Sequence, residues 1–128
     1  MNILLDTCTF LWIVTDAPEL SAKARELFQD PANGVYLSSV SAWEIAVKYM
    51  LGRLPLPEAP DRFVGPMRTS HGIEPLPLEE DAVLMLPKLP ELHKDPFDRM
   101  LICQALAHQL VLLTPDALIL QYPIRVVW

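Results

Sequence analysis

The stretch Asn2-Ile3-Leu4-Leu5-Asp6-Thr7 decides the fold class of this chain. Its consecutive apolar residues do not alternate with polar ones, which is the pattern of a short strand covered on both faces. Asp6 falls where this strand ends and a helix-like run over residues 8–14 begins. Because ligands bind at the carboxyl ends of the strands in an open parallel α/β sheet, Asp6 is either a cap for the next helix or a functional acid.

Strands and helices alternate along the rest of the chain. Strands are predicted at residues 35–38, 73–76 (an edge strand, because it contains a proline), 111–114 and 124–127. Helices are predicted over residues 22–29, 42–51, 78–86 and 95–109, with shorter helical pieces at 61–64, extendable to 70, and at 116–121. This alternation predicts a parallel sheet with right-handed crossovers. With no internal repeat or linker, residues 1–128 are expected to form a single α/β domain.

The chain is apolar for a soluble protein of its size. Hydrophobic residues make up 52% of the sequence and the mean hydropathy is +0.26. We expect a partner surface or a dimer interface, since spare apolar area tends to be covered by association. No run approaches the roughly 18 apolar residues of a membrane span, and the N-terminus lacks a signal-peptide pattern, so a cytoplasmic location is expected. Cys8 and Cys103 lie in apolar helical runs and are expected to be buried free thiols.

Four acids recur at one structural position, just after a strand or in the first turn of a helix. Asp6 follows the first strand, and Glu44 is placed in the first turn of the helix after the second strand. Asp98 lies in the first turn of the long helix, and Asp116 follows the strand at 111–114. In a parallel sheet these positions lie along one edge, so the four side chains can converge.

Converging carboxylates raise one another's pKa values, and a chain that keeps several together usually holds a hard cation with them. Mg²⁺ and Mn²⁺ take such oxygen ligands. The net charge of −6 argues against a simple nucleic-acid clamp, but bound divalent cations invert the local potential of an acidic site. Zinc is not indicated, because His71, His93 and His108 lie near no cysteine pair, and the four glycines form no phosphate-binding loop.

Each of the first two acids also has a structural interpretation. Ser41-Ala42-Trp43-Glu44 fits a capping box, in which Glu44 would bond back to the cap amide. Lys48 is placed one turn later, where it could form a surface ion pair with Glu44. Asp6 could be no more than the cap of the helix that follows it.

The two later acids have similar alternatives. Acids favour helix N-termini through the helix macrodipole, which alone could explain Asp98. In Asp95-Pro96, however, Asp95 is the expected N-cap and Pro96 the first helical residue, which leaves Asp98 free to point elsewhere. Asp116 could be an N-cap after Pro115. The conjunction of all four acids is harder to explain by capping than any single one.

Four pieces of the sequence resemble the PIN-domain nucleases, and specifically the VapC-like toxins of bacterial toxin–antitoxin pairs. They occur in the family's order and span nearly the whole chain; they are Leu4-Leu5-Asp6-Thr7, Ser41-Ala42-Trp43-Glu44-Ile45-Ala46, His93 to Arg99 with Leu101 to Ala105, and Leu113-Thr114-Pro115-Asp116. The resemblance implies a three-layer α/β/α domain with a parallel sheet of four to five strands in the order 3-2-1-4-5. That order would put the opening strand in the middle.

The resemblance also implies an activity and a set of partners. Asp6, Glu44, Asp98 and Asp116 would form the acidic metal site of a Mg²⁺- or Mn²⁺-dependent endoribonuclease. Such an enzyme hydrolyses RNA through a metal-activated water and leaves 5′-phosphate and 3′-hydroxyl ends. The family implies a homodimer and a cognate antitoxin that packs an apolar segment on the toxin and blocks its site.

Neighbouring polar residues each have two alternative roles. Thr7 and Thr114 match hydroxyl positions beside the acids, where they would either support the metal ligands or cap strand ends. Arg99 would contact a phosphate or orient Asp98. Lys48 and Arg53 would either touch RNA or belong to a solvated helix face.

Three rival functions remain. A domain of this type that has lost catalysis would bind a protein partner and cleave nothing, although all four acids are present. A metal-dependent phosphatase of the haloacid-dehalogenase type also begins with a strand ending in Asp, but it needs a second Asp where this chain has Cys8. A phosphate-receiving signalling domain would need adjacent acids near the first strand and a lysine after the last one, and neither is present.

Overall fold

The computed structural model describes residues 1–128 and contains a five-stranded, fully parallel sheet. Its strands, in chain order, are β1 (Asn2–Leu5), β2 (Gly34–Ser38), β3 (Glu74–Leu76), β4 (Val111–Leu113) and β5 (Val126–Val127). They lie in the order β3-β2-β1-β4-β5, so the opening stretch is the central strand. The predicted strand order is confirmed.

Six α-helices and two short 3₁₀ turns connect these strands. The helices are α1 (Thr7–Val14), α2 (Ala22–Gln29), α3 (Ser39–Met50), α4 (Pro60–Ser70), α5 (Glu80–Val83) and α6 (Pro96–His108). The 3₁₀ turns cover Leu86–Lys88 and Ile119–Gln121. None of the helices has the length and apolar character that a membrane span requires.

The side chains of β1 point alternately into two separate apolar cores. Ile3 and Leu5 belong to the core beneath α1, α2 and α4, whereas Leu4 belongs to the core beneath α6. All three are fully buried, and each buried side chain of this size contributes about 1.5–3 kcal/mol to folding. The sheet is thus covered by helices on both faces, as the three-layer expectation required, and β1 is a rigid platform for the residues that follow it.

The start of α3 differs from the prediction. The helix begins at Ser39 rather than Ala42, because Ser38 is the N-cap and its hydroxyl accepts a hydrogen bond from the Val40 N–H at 2.9 Å. The predicted capping box is therefore wrong. The prediction that Glu44 lies in the first turn is wrong for the same reason: Glu44 lies in the second turn of α3.

Other boundaries differ as well. The helix predicted at 78–86 is only the single turn α5 followed by a 3₁₀ turn, and the piece at 116–121 is helical only at Ile119–Gln121. The last strand has two residues rather than four, since only Val126–Val127 pairs with β4. At 61–64 the longer of the two alternatives is found, because α4 continues through Pro66 to Ser70. Cys103 is buried as expected, but Cys8 is exposed.

Candidate metal centre

Asp6 lies at the carboxyl end of the central strand and caps α1. Its Oδ1 accepts a hydrogen bond from the Thr9 N–H at 2.7 Å, so the capping interpretation is correct for this oxygen. Its Oδ2 accepts a hydrogen bond from the hydroxyl of Thr114, which follows β4. Burial raises the pKa of Asp6, the hydrogen bonds from Thr114 and Thr9 lower it, and the charge of Glu44 raises it further. Asp6 thus caps α1, and its buried carboxylate has a pKa that responds to the charge of Glu44.

Glu44 points from the second turn of α3 into the protein. Its Oε1 accepts a hydrogen bond from Thr7 Oγ1 at 2.6 Å, and Ser41 Oγ lies 3.0 Å from the same hydroxyl. Its Oε2 accepts a charge-assisted hydrogen bond from Lys48 Nζ, and this bond raises the pKa of Lys48. The ion pair is not a surface pair, since the Glu44 side chain is only 6% exposed while that of Lys48 is 43% exposed.

Asp98 and Asp95 divide two roles at the start of α6. Asp95 is the N-cap, as predicted: its Oδ1 accepts hydrogen bonds from the N–H groups of Phe97 at 2.9 Å and Asp98 at 3.1 Å. The Asp98 carboxylate is left free of capping. Burial raises the pKa of Asp98 to about 6, with further increases from the charges of Asp95, Asp116 and Glu44, while a hydrogen bond from His93 lowers it.

The carboxylate of Asp116 accepts a single, local hydrogen bond. Its Oδ1 accepts a hydrogen bond from the Leu118 N–H at 2.9 Å, which closes a local turn. Its own N–H donates to Thr114 Oγ1 at 3.1 Å, so the hydroxyl that holds Asp6 also anchors the backbone of Asp116. The side chain is partly exposed, and its charge acts on Asp98.

The four acids influence one another electrostatically at the carboxyl edge of the sheet. Glu44 raises the pKa of both Asp6 and Asp98, and Asp116 raises that of Asp98. Cys8 lies near these charges: although its side chain reaches the surface, partial desolvation by the surrounding protein raises its pKa to about 11, and the charges of Asp6, Glu44 and Asp98 contribute to that increase. The charges of Glu44 and Asp116 therefore act on neighbouring acids of this set, while the convergence of all four carboxylates at one point stays a prediction.

The chemistry of this donor set fits Mg²⁺ or Mn²⁺. Every candidate ligand is a carboxylate oxygen, the type that these cations prefer. The structure contains no group of three or more Asp, Glu, His or Cys side chains already arranged around one point. Oδ1 of Asp98 and Oδ2 of Asp116 accept no hydrogen bond, and each of the other carboxylate oxygens keeps a lone pair beyond the bond that it accepts. A cation would offset both the burial of charge, which is the main cause of the raised pKa values of Asp6 and Asp98, and the repulsion from neighbouring acids, which adds to them.

Among the other predicted site residues, the threonines and Arg99 contact different groups. Thr7 and Thr114 each donate a hydrogen bond to one acid of the cluster. Arg99 does not contact Asp98; its guanidinium donates to the Pro90 carbonyl at 2.9 Å and to the Tyr122 hydroxyl at 3.0 Å. Arg53 is exposed beyond the end of α3.

A family model of the PIN domain matches residues 3–123, which is most of the chain. The chain belongs to the PIN-domain family. The strand order 3-2-1-4-5 is accordingly that of a PIN domain.

This PIN domain is also similar to individual proteins. It is 41% identical over 66 residues to ribonuclease VapC16 of Mycobacterium tuberculosis, and the match covers 48% of this chain and 47% of that protein. The chain thus spans about half the length of the curated relative that it matches. The solved structure of VapBC2 from Rickettsia felis, bound to a DNA fragment from its promoter, has a TM-score of 0.73 at 16% identity and covers 99% of this chain and 98% of that one. A toxin–antitoxin complex from Klebsiella pneumoniae has a TM-score of 0.62 at 18% identity, and the match covers 98% of this chain and 96% of that one.

Sequence reasoning missed one residue of this PIN domain's acidic site. His93 was dismissed as a zinc ligand and, although it belongs to one of the pieces that resemble the family, was given no role, yet its Nε2 lies 3.3 Å from Oδ2 of Asp98. The available signal was its position five residues before Asp98, just upstream of the capped start of α6. That spacing alone does not show which way the ring points.

Proposed function

We propose that this PIN domain is a Mg²⁺- or Mn²⁺-dependent endoribonuclease whose metal-binding and catalytic acids are Asp6, Glu44, Asp98 and Asp116. The observation that carries the proposal is the mutual electrostatic effect of these carboxylates, of which three are drawn largely out of water. Like charges held together in this way, with raised pKa values at Asp6 and Asp98, support a functional site that shares a counter-ion. The relative from M. tuberculosis, which is named a ribonuclease, supports RNA as the substrate.

The chain's own residues hold the acids in fixed orientations. Thr114 and the Thr9 N–H fix the two oxygens of Asp6, and Thr7 fixes one oxygen of Glu44. Fixed ligands lose little conformational freedom when a cation binds, which favours tight and geometrically defined binding. When bound, a divalent cation would lower the pKa of water and neutralise charge that develops on the phosphodiester.

Lys48 would act differently with and without the cation. Its ammonium pairs with Oε2 of Glu44 and neutralises part of the acidic cluster. A divalent cation competes for the same oxygen. Once displaced, the half-exposed lysine would be free to contact an RNA phosphate. Lys48 would then be an ion-pair partner of Glu44 without the cation and an RNA contact with it.

We also propose that the chain is the toxin of a toxin–antitoxin pair, acting as a homodimer in the cytoplasm. The structural similarity to a toxin–antitoxin complex over nearly the whole chain supports a protein partner. The net charge of −6 would suit an antitoxin rich in Arg and Lys. Exposed apolar side chains at the C-terminal end of α3, Met50 and the following residue Leu51, offer area that association would cover. Light scattering of the purified chain tests the homodimer, and co-purification with a co-expressed candidate antitoxin tests the protein partner.

The nuclease is tested with a single-stranded RNA labelled at its 5′ end and incubated with the purified chain and Mn²⁺ or Mg²⁺. We expect cleavage that EDTA abolishes and that Asp98→Asn reduces by more than about 100-fold, since even residues that only support a ligand are worth roughly 10–100-fold. Asp61→Asn is the matched control, because Asp61 is an exposed first-turn acid of α4 with no side-chain hydrogen bond.

Two results would overturn the proposal. Full cleavage in EDTA or by Asp98→Asn would exclude a metal site built on these acids. If the folded wild-type chain, free of antitoxin, cleaves no RNA and binds no Mn²⁺, the domain is a protein-binding module that has lost catalysis.

A further inference from the structure

The ring of His93 connects the acidic site to the C-terminal part of the chain. Its side chain is only 7% exposed, and its two nitrogens face different partners. Nε2 lies 3.3 Å from Oδ2 of Asp98, and Nδ1 lies 2.7 Å from the hydroxyl of Tyr122. The rings of His93 and Tyr122 also pack edge to face, with centroids 5.3 Å apart.

The hydroxyl of Tyr122 has three hydrogen-bond partners, which are Arg99, the backbone of His93 and the ring of His93. Tyr122 is 3% exposed and belongs to the core beneath α6. Its oxygen accepts hydrogen bonds from the guanidinium of Arg99 at 3.0 Å and from the backbone N–H of His93 at 3.3 Å. The phenol hydroxyl has a single hydrogen to donate, and with two N–H groups already directed at its oxygen, only the direction of that hydrogen is left to be placed.

This hydrogen count fixes the tautomer of His93. The hydroxyl hydrogen of Tyr122 has Nδ1 of His93 as its remaining partner, so Nδ1 is the acceptor. A neutral imidazole with an accepting Nδ1 carries its hydrogen on Nε2. The Nε2–H group faces Oδ2 of Asp98, and His93 therefore donates to the carboxylate.

From this arrangement we infer that Arg99, Tyr122 and His93 form a positioning relay for Asp98. The relay holds Oδ2 through the Nε2–H group and leaves Oδ1 free for a cation, so the inference rests on the proposed metal site. None of the three residues needs to touch the metal or the RNA. Hydrogen bonds to a ligating carboxylate from a supporting residue are a common way of fixing ligand orientation.

The relay also explains the placement of Arg99. This residue is adjacent to Asp98 in sequence, yet its guanidinium turns away from the carboxylate to bind the Pro90 carbonyl and Tyr122. The arginine donates to the Tyr122 oxygen beside the backbone N–H of His93, and together these two donors direct the hydroxyl hydrogen toward Nδ1 of His93. It orients Asp98 through two intermediates rather than by direct contact.

Three substitutions separate positioning from a merely structural role. In His93→Asn the side-chain amide can reach the position of Nδ1 and contact Tyr122, but it cannot reach Asp98. In His93→Gln the amide nitrogen can occupy the position of Nε2 and donate to Asp98. Tyr122→Phe keeps the packed ring but removes the hydroxyl that selects the tautomer. His71→Asn is the control, because His71 contacts its own helix at the end of α4, before the strand β3 begins.

The test measures Mn²⁺ binding by electron paramagnetic resonance, and kcat and KM for a single-stranded RNA at a fixed neutral pH. We expect His93→Asn and Tyr122→Phe to weaken Mn²⁺ binding by about tenfold and to lower kcat, with KM for RNA within twofold of wild type. His93→Gln should recover most of the Mn²⁺ affinity, and His71→Asn should match wild type. Wild-type Mn²⁺ affinity in His93→Asn, or equal losses in the Asn and Gln variants, would overturn the relay.

The tautomer gives a readout that needs neither metal nor RNA. Nitrogen-15 chemical shifts of the His93 ring should show hydrogen on Nε2 and none on Nδ1 in the wild type, and a mixture of both forms in Tyr122→Phe. A wild-type ring with hydrogen on Nδ1 would refute the relay even if the protein proves to be a metal-dependent nuclease. Conversely, a wild type that neither binds Mn²⁺ nor cleaves RNA would refute the proposed function itself, together with the relay's role at a metal site.

Discussion

The hydroxyl of Thr114 donates a hydrogen bond to Oδ2 of Asp6 across 108 residues of chain. The bond joins the ends of two neighbouring strands, β1 and β4, and the same oxygen of Thr114 accepts the N–H of Asp116. One threonine thus ties together two of the four acids.

Replacing Thr114 with valine should destabilise the protein and weaken cation binding. The isosteric change leaves the buried Asp6 carboxylate without one donor, which costs about 1–3 kcal/mol of unfolding free energy. Urea denaturation at neutral pH measures the loss, and Thr114→Ser is the control because it keeps the hydroxyl. Equal stability of the valine variant and wild type would show that Asp6 does not depend on this bond.

Asp98→Asn should stabilise the metal-free fold in a pH-dependent way. The pKa of Asp98 is about 6 in the folded protein against an ordinary value of 3.8, so between these pH values the folded protein binds a proton that the unfolded chain has released. The unfolding free energy therefore falls as the pH rises from about 4 to 6. It does not recover at higher pH, where Asp98 is ionised in both the folded and the unfolded chain. The asparagine variant should have a higher Tm than wild type at pH 7.5.

Thermal unfolding from pH 4 to pH 8, with EDTA present, tests that sign. The difference in Tm between Asp98→Asn and wild type should shrink to zero near pH 4, whereas Asp61→Asn should track wild type throughout. A lower Tm for Asp98→Asn at pH 7.5 would mean that its hydrogen bond with His93 outweighs the burial of its charge.

Substitution of Asp95 should affect the helix rather than the chemistry. Asp95→Ala removes both cap hydrogen bonds at the start of α6 and should lower the unfolding free energy by about 1 kcal/mol. Asp95→Asn, which keeps a capping oxygen, should lose much less. Denaturant titrations compare the two variants, and RNA cleavage by Asp95→Asn should remain close to wild type. Inactivity of a stably folded Asp95→Asn would assign Asp95, and not only Asp98, to the acidic site.

Lys48→Met should increase the affinity for Mn²⁺. The ammonium of Lys48 occupies Oε2 of Glu44 and adds positive charge where a cation would bind. Its removal frees the oxygen and lowers the repulsion, so the dissociation constant for Mn²⁺ should fall. Lys23→Met, an exposed change on α2, is the control. A weaker affinity in Lys48→Met would indicate that the lysine supports the metal-loaded form of Glu44.

Much of the fold and half of the site could be predicted from local signals. The uninterrupted apolar run Ile3–Leu5 marks a strand buried on both faces, and burial on both faces is what a central strand has. Asp95 before Pro96 specifies a helix start, and this fixed the position of Asp98 in the first turn of α6. These signals depend on neighbouring residues only, so the sequence contains them in full.

The remaining features depend on contacts between residues that are far apart in the sequence, and local sequence patterns do not show which of the possible contacts form. Three serines, Ser38, Ser39 and Ser41, lie at the start of α3, and each could cap it by residue type alone. The actual cap is decided by where β2 stops, which follows from its pairing with β3. The ring of His93 is aimed by Tyr122, 29 residues later and on another element.

The central position of β1 also has a consequence for synthesis. Asp6 leaves the ribosome long before β4 and Thr114, which complete its surroundings and of which Thr114 lies 108 residues later in the chain. Contacts this distant along the chain form only when both partners are available. A nascent chain therefore carries Asp6 without the edge of the sheet that would make it part of a site. For the proposed ribonuclease, this order of events delays assembly of the acidic site until β4 and Thr114 have been synthesised.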